Sequence, residues 1–259
     1  MEFTFATIEA ALASYLWPFF RIGAMLMTMA VIGSQNVPVR IRLGAALAIT
    51  VATVPGIPPL PAIPLFSLQS VIITAHQLLI GIAVGLVTQF VMQTFILAGQ
   101  FIGMQTSLGF ANIVDPSNGQ TVPVIGQLFL MLATLIFLVI DGHLLLIRML
   151  AESFHSLPVG PEGLDPGSWR MLADWFGWVF AAALAMSLSE LVALLVINIA
   201  FGIMTRAAPQ LNIFTVGFPV TMLSGILLLW LTLTDFNHHF DVQWQRSVGL
   251  LCDLLGVCP

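Results

Sequence analysis

Few residues in this chain could do chemistry, and their spacing argues against most of it. His238 and His239 lie near Asp235 and Asp241 and could suggest a metal site. Adjacent histidines point to different faces of a helix, so the pattern reads as a helix-end pair rather than a ligand set. Gln105-Thr106-Ser107-Leu108-Gly109 lacks the first glycine of a nucleophile elbow. No H-E-x-x-H, phosphate-binding loop or dinucleotide fingerprint occurs. Cys252 and Cys258 do not make a disulfide scaffold and lack a zinc-site complement. The expectation is a protein that is not an enzyme and carries no cofactor or metal.

The remaining polar residues sit inside apolar runs. Glu190 and Asn198 interrupt the run 179–204. An acid this deep is either a paired or protonated structural carboxylate or part of a proton relay, with Ser187, Ser189 or a partner subunit as donors. Gln89, Gln93 and Gln100 fall within about 40° of one another at ~100° per residue. A glutamine stripe facing lipid would be costly, so this face should meet protein through interhelical hydrogen bonds or line a conduit. Gly81/Gly85 and Gly99/Gly103 form two small-xxx-small patterns on the same stretch, which let neighbouring backbones approach closely. Arg21 is a charge in the first apolar run, 10–32, either snorkelling to an interface or pairing with a neighbour in an assembly.

Composition sets the frame for these residues. The chain has 259 residues, 59% of them hydrophobic and 7% charged, with mean hydropathy +1.03. A soluble domain carries about 25% charged residues, so this reads as a polytopic membrane protein. All seven basic residues are Arg, and the net charge of −5 gives no nucleic-acid footprint. The N-terminal MEFTFATIEA lacks a basic region, so a cleaved signal peptide is not expected.

About six hydrophobic segments follow one another. Pro18 predicts a kink in the first, or a helix beginning near it. Gln35-Asn36-Val37-Pro38 breaks the chain, and the run 41–54 is too short to cross ~30 Å of hydrocarbon comfortably. PGIPPLPAIP (55–64) is a stiff extended connector. The run 65–109 is the longest and exceeds one bilayer crossing. Apolar residues 126–140 end at Asp141-Gly142-His143, and Arg148 and Glu152 can pair at i, i+4. Ser168 is a plausible N-cap for a helix starting at Trp169, followed by Trp175 and Trp178 as an interfacial belt. The last span, 211–233, should form an antiparallel hairpin with its predecessor. Phe240, Trp244, Val248, Leu251 and Leu255 then predict an amphipathic segment able to lie on a membrane or a partner.

The segment 99–126, GQFIGMQTSLGFANIVDPSNGQTVPVIG, organises the rest. Asp115-Pro116 cannot continue a helix, and Ser117-Asn118-Gly119 supplies turn chemistry. Yet Phe110, Ile113, Val114, Val122 and Val124 make the segment apolar. Irregular backbone at membrane depth survives only where protein or a water-filled cavity covers it. Burial inside an assembly and an ordinary surface loop both remain open on these residues.

AGQFIGMQTSLGFANIVDPSNGQ (98–120), GHLLLIRMLAESFHSLPVG (142–160) and RAAPQLNIFTVGFP (206–219) resemble the flagellar export-gate FliR family, related more distantly to the virulence-type SctT proteins. The similarity covers most of the chain in order. It implies an all-α fold, with 1–168 as a FliP-like part, 169–236 as a FliQ-like helical hairpin and 237–259 as the amphipathic tail. It also implies a helical export gate in the bacterial inner membrane, at the flagellar basal body. Its partners there would be FliP-like, FliQ-like, FlhB-like and FlhA-like proteins and unfolded protein substrates. The segment 103–123 would be the channel plug, with Gly103, Gly109, Phe110, Ile113, Val114, Asp115, Pro116, Gly119 and Pro123 as its residues. The flagellar form is favoured because 98–120 and 206–219 read closer to it. A self-contained transporter would usually show paired halves with matching interruptions, and no such symmetry is found. Arg40, Arg42 and Arg206 fall opposite Arg148, Arg170 and Arg246, so the positive-inside rule gives a tie.

Overall fold

The computed structural model describes residues 5–59, 63–65, 67–106, 108, 112–114, 121–207 and 217–258. Among the described residues eight α-helices carry the fold: α1 (Phe5–Thr28), α2 (Val39–Thr53), α3 (Leu68–Gln105), α4 (Val124–Val139), α5 (Gly142–Ser156), α6 (Pro166–Ala207), α7 (Phe218–Thr232) and α8 (Phe236–Leu255). Between α3 and α4, β1 (Asn112–Val114) pairs antiparallel with β2 (Thr121–Pro123), matching Ile113 to Val122. Four helical stretches are long and apolar enough to cross a membrane among the described residues: Val39–Gly56, Leu68–Gln105, Pro166–Ala207 and Phe218–Leu255. The α4–α5 pair, bent by 61°, makes a fifth if counted as one span. The sequence suggested about six; α1, carrying Glu9 and Arg21, falls outside this set. The architecture is an all-helical polytopic membrane protein with one short β-ribbon.

The chain forms two compact units interleaved along the sequence. The first comprises Met1–Phe90, Phe137–Trp175 and Arg246–Pro259, and the second Val91–Ile136 and Phe176–Gln245.

In the first unit α1 continues through Pro18 and does not begin there. The ring removes one helical hydrogen bond, a cost of about 3 kcal/mol. Full burial of the neighbouring Trp17, with Ile22 and Met25, offsets it. The break before α2 is held by Arg42, which donates to the carbonyls of Val37 (3.0 Å), Gly33 (3.1 Å) and Ser34 (3.2 Å). The Ser34 carbonyl also accepts from Val37 N at 3.2 Å, so Arg42 reinforces a turn that partly bonds itself. At the α4–α5 bend Asp141 takes a left-handed φ of 55°, which Asp tolerates better than most residues. The next residue must be small, since a Cβ on Gly142 would stand 2.6 Å from the Phe137 ring.

Two expectations change here, and one linkage is added. Helix α6 begins at Pro166, not Trp169, and its N-cap chemistry comes from Asp165. The Asp165 carboxylate accepts from Gly167 N (3.1 Å), Ser168 N (3.2 Å) and the Ser168 hydroxyl. Pro at the first helical position lacks the N–H that would be orphaned anyway, so Asp-Pro is the better start. The apolar face of α8 is not left for a membrane or partner. Phe240, Leu251 and Leu255 are fully buried within the chain, while Gln245 and Asp253 are exposed. Finally, Cys252 and Cys258 are joined, with Cα atoms 5.0 Å apart, as a local clasp around the α8 terminus.

In the second unit an aromatic cluster forms the centre. Phe95 of α3 meets Phe236 (5.1 Å) and Phe240 (5.6 Å) of α8, and Phe129 of α4 meets Phe236 at 5.3 Å. Trp178 Nε1 donates to Gln243 Oε1 at 3.0 Å, which ties α6 to α8.

Candidate functional site: the central segment and the seams of α3

The two small-residue patterns on α3 meet different partners. A Cβ on Gly81 would overlap the Arg21 carbonyl and stand 2.8 Å from Ala24 Cβ. A Cβ on Gly85 would overlap the Thr28 hydroxyl. These glycines set α3 against α1, and the seam continues as Ala30 N donates to Thr88 Oγ1 at 2.9 Å. Gln89 Nε2 donates to the Thr28 carbonyl at 3.2 Å, so this member of the glutamine stripe serves helix–helix bonding.

Further along, Gly99 faces α4. A Cβ there would stand 2.5 Å from Gly126 Cα and 2.6 Å from Gly126 N. Glycine on both helices lets the backbones touch. Gln100 borders this contact, its Cγ 3.9 Å from where a Gly126 Cβ would lie, and Gln93 is half-buried. Gly103 is different: a Cβ would meet only Pro123 Cβ at 3.4 Å, ordinary contact. Position 103 therefore does not demand glycine for space, whereas 99 does.

The central segment begins where α3 ends and returns through β2 directly into α4. Ile113 and Val114 stand on β1 and Pro123 on β2. Gly109, Phe110, Asp115, Pro116 and Gly119 lie outside the described residues, as does most of RAAPQLNIFTVGFP. At the base of the segment Thr106 is fully buried, and a Cβ on Gly225 of α7 would overlap its methyl group. Asn198 of α6 makes a long 3.5 Å contact to Gln105 Oε1. Sequence reading missed Thr106, Gly126 and Gly225. Gly126 could have been found as the small residue three positions past β2's end that answers Gly99.

Glu190 is 2% exposed and accepts from Ser189 Oγ at 2.8 Å. Ser187, the other donor considered, bonds the Ala183 carbonyl instead at 2.9 Å.

Arg21 is fully buried and finds its partners inside its own chain. Nε donates to Gln77 Oε1 (2.7 Å), Nη1 to Ser153 Oγ (3.1 Å) and carbonyl (3.3 Å), and Nη2 to the Leu157 carbonyl (2.9 Å). The Phe154 ring centroid lies 4.2 Å from Cζ, a cation–π contact. Every one of these partners is neutral. The guanidinium thus ties α1 to α3 and caps the end of α5, using the fork of donors that only Arg offers.

No group of three metal-ligating side chains occurs among the described residues. The geometry is that of an integral membrane protein whose specialised parts are close helix seams and a short ribbon between the 38-residue α3 and α4. Residues 12–247 match the family model described as bacterial export proteins, family 1. The chain is 36% identical to the flagellar biosynthetic protein FliR of Escherichia coli (strain K12), covering 95% of this chain and 94% of the relative. It is 36% identical to the FliR of Pectobacterium carotovorum (94% and 93% covered) and 30% identical to that of Aquifex aeolicus (91% and 93%). The chain belongs to the FliR family of bacterial export proteins.

Proposed function

We propose that this protein is a non-enzymatic subunit of the flagellar type III export gate in the bacterial inner membrane. It would form part of the channel through which unfolded flagellar proteins leave the cell. In this reading the segment 103–123 is the plug, with Gly103, Gly109 and Gly119 as flexible points and Phe110, Ile113 and Val114 filling the passage. Asp115-Pro116 keeps the plug from continuing as helix, and Pro123 leads back into α4. The FliP-like part (1–168) and the FliQ-like hairpin (169–236) would assemble with FliP-like and FliQ-like subunits, in contact with FlhB-like and FlhA-like proteins.

The observation that carries the reading is family membership over nearly the whole chain, with relatives named as flagellar biosynthetic proteins. Those names favour the flagellar over the virulence-type gate. The ribbon supports a plug physically: a short hairpin satisfies backbone groups within an apolar segment that cannot be helical. The test deletes residues 113–119 and measures ion conductance, or growth under ionic stress, beside wild type. An assembled complex that leaks is expected. An assembled complex that stays sealed would return this segment to an ordinary loop.

A further inference from the structure

Within the second unit a cavity of about 60 Å³ is lined by Phe129 of α4, Met186, Ser189 and Glu190 of α6, Thr232 of α7, Asp235, and Phe236 and His239 of α8. Phe129 and Phe236 of the lining belong to the aromatic cluster, since Phe236 packs on Phe95 and Phe129. The lining also carries three titratable groups, Glu190, Asp235 and His239, from two segments of the chain.

Glu190 accepts one hydrogen bond from described residues, from Ser189, although a carboxylate offers about four acceptor positions. At 2% exposure an unpaired carboxylate is expensive, by several kcal/mol, and no Arg or Lys lines the cavity. No hydrogen bond joins Glu190 to Asp235 or His239 among the described residues. A site needs roughly 10–15 Å³ to hold one water and two to four polar partners to keep it, and this cavity meets both demands. Metal chemistry has no support, because these groups do not form a ligand set among the described residues.

We propose that this cavity is a hydrated proton-binding site, in which Glu190 and His239 exchange one proton through bound water. The His239 imidazolium N–H gives its proton to a water, which passes one of its own to the Glu190 carboxylate. One N–H bond breaks, one O–H bond forms, and the water is unchanged. Asp235 is the third titratable group on the lining; His238, its ring centroid 6.2 Å from that of His239, is a titratable neighbour outside it. Transfer moves charge from the start of α8 to the middle of α6, and so couples those elements to pH. The site stands independently of the plug assignment.

The test is pH-difference infrared spectroscopy on the full chain, purified with whatever subunits accompany it. A protonated-carboxyl band should appear on acidification, shift in D2O, and vanish in Glu190→Gln. In His239→Gln, which alters a half-buried side chain, the pH dependence of the same band should differ from wild type. Should Glu190→Gln fail to fold, the His239→Gln titration alone decides. A band unmoved in His239→Gln, or one that does not shift in D2O, would overturn the proposal.

Discussion

Gly99 of α3 faces Gly126 of α4 so closely that a Cβ at Gly99 would stand 2.5 Å from the Gly126 Cα. The obstacle is backbone and cannot rotate away. Gly99→Ala is expected to cost about 1–3 kcal/mol through forced separation of the helices. Thermal unfolding should show a midpoint lowered by about 2–4 °C per kcal/mol. Gly103→Ala, with only Pro123 Cβ at 3.4 Å, should stay within about 0.5 kcal/mol of wild type. Equal losses at both positions would mean that the Gly99–Gly126 contact is not the seam described.

Arg21 and Gln77 should behave as a coupled pair. Arg21→Met orphans Gln77 Oε1 and the Leu157 carbonyl, each worth about 1–3 kcal/mol when buried without a partner. Arg21→Lys should recover only part of the loss, because the three N–H donors of an ammonium sit on one nitrogen and do not reach partners spread around three guanidinium nitrogens. Folded yield in detergent, measured across Arg21→Met, Gln77→Leu and the double variant, reports the coupling. Strict additivity would show that the hydrogen bond contributes nothing.

The start of α6 should be sensitive to acid. Hydrogen bonding, first from the Ser168 hydroxyl and then from backbone N–H groups, holds the Asp165 carboxyl below its ordinary value of 3.8. A depressed folded-state value means the cap is fully present above pH 3.8 and is lost as pH falls through the lower folded-state value. Amide exchange at Gly167 and Ser168 should therefore lose protection in that acid window. Asp165→Asn should flatten the dependence; a wild-type profile identical to that of the variant would rule the cap out as its cause.

Cys252 and Cys258 should resist alkylation in the intact protein and react after reduction, as read by mass. The Cys252→Ser, Cys258→Ser variant should keep its fold, because Ser156 Oγ also bonds the Leu255 carbonyl at 2.5 Å and holds the helix end. Ready labelling without reductant would show the clasp open.

Hydrophobic periodicity located the long helices well, since 65–109 contains α3 almost whole. Chain breaks were less legible. Pro18 looked like a boundary because local propensity disfavours it there, but burial of Trp17 outweighs that preference. Ser168 looked like a cap because it stands directly before Trp169, whereas the capping carboxylate, Asp165, lies three residues earlier and acts across Pro166. Arg21 was legible as a buried charge, but its partners were not. Gln77, Ser153 and Leu157 lie 56 to 136 positions away and are neutral, so no charge pattern pointed to them. The glycine pairs were visible as spacing, yet only the fold shows that Gly81 and Gly85 serve α1 while Gly99 serves α4.

The length of α3 has a consequence for where the protein lives. At 1.5 Å per residue its 38 residues make a rod about 57 Å long, against roughly 30 Å of hydrocarbon. Fitting it wholly within lipid would need an inclination near 60°, beyond the usual range of about 0–40°. Part of this apolar rod must therefore stand outside the hydrocarbon, where only neighbouring protein can keep it dry. Reporter fusions that infer sidedness by counting crossings will misassign loops on such a chain.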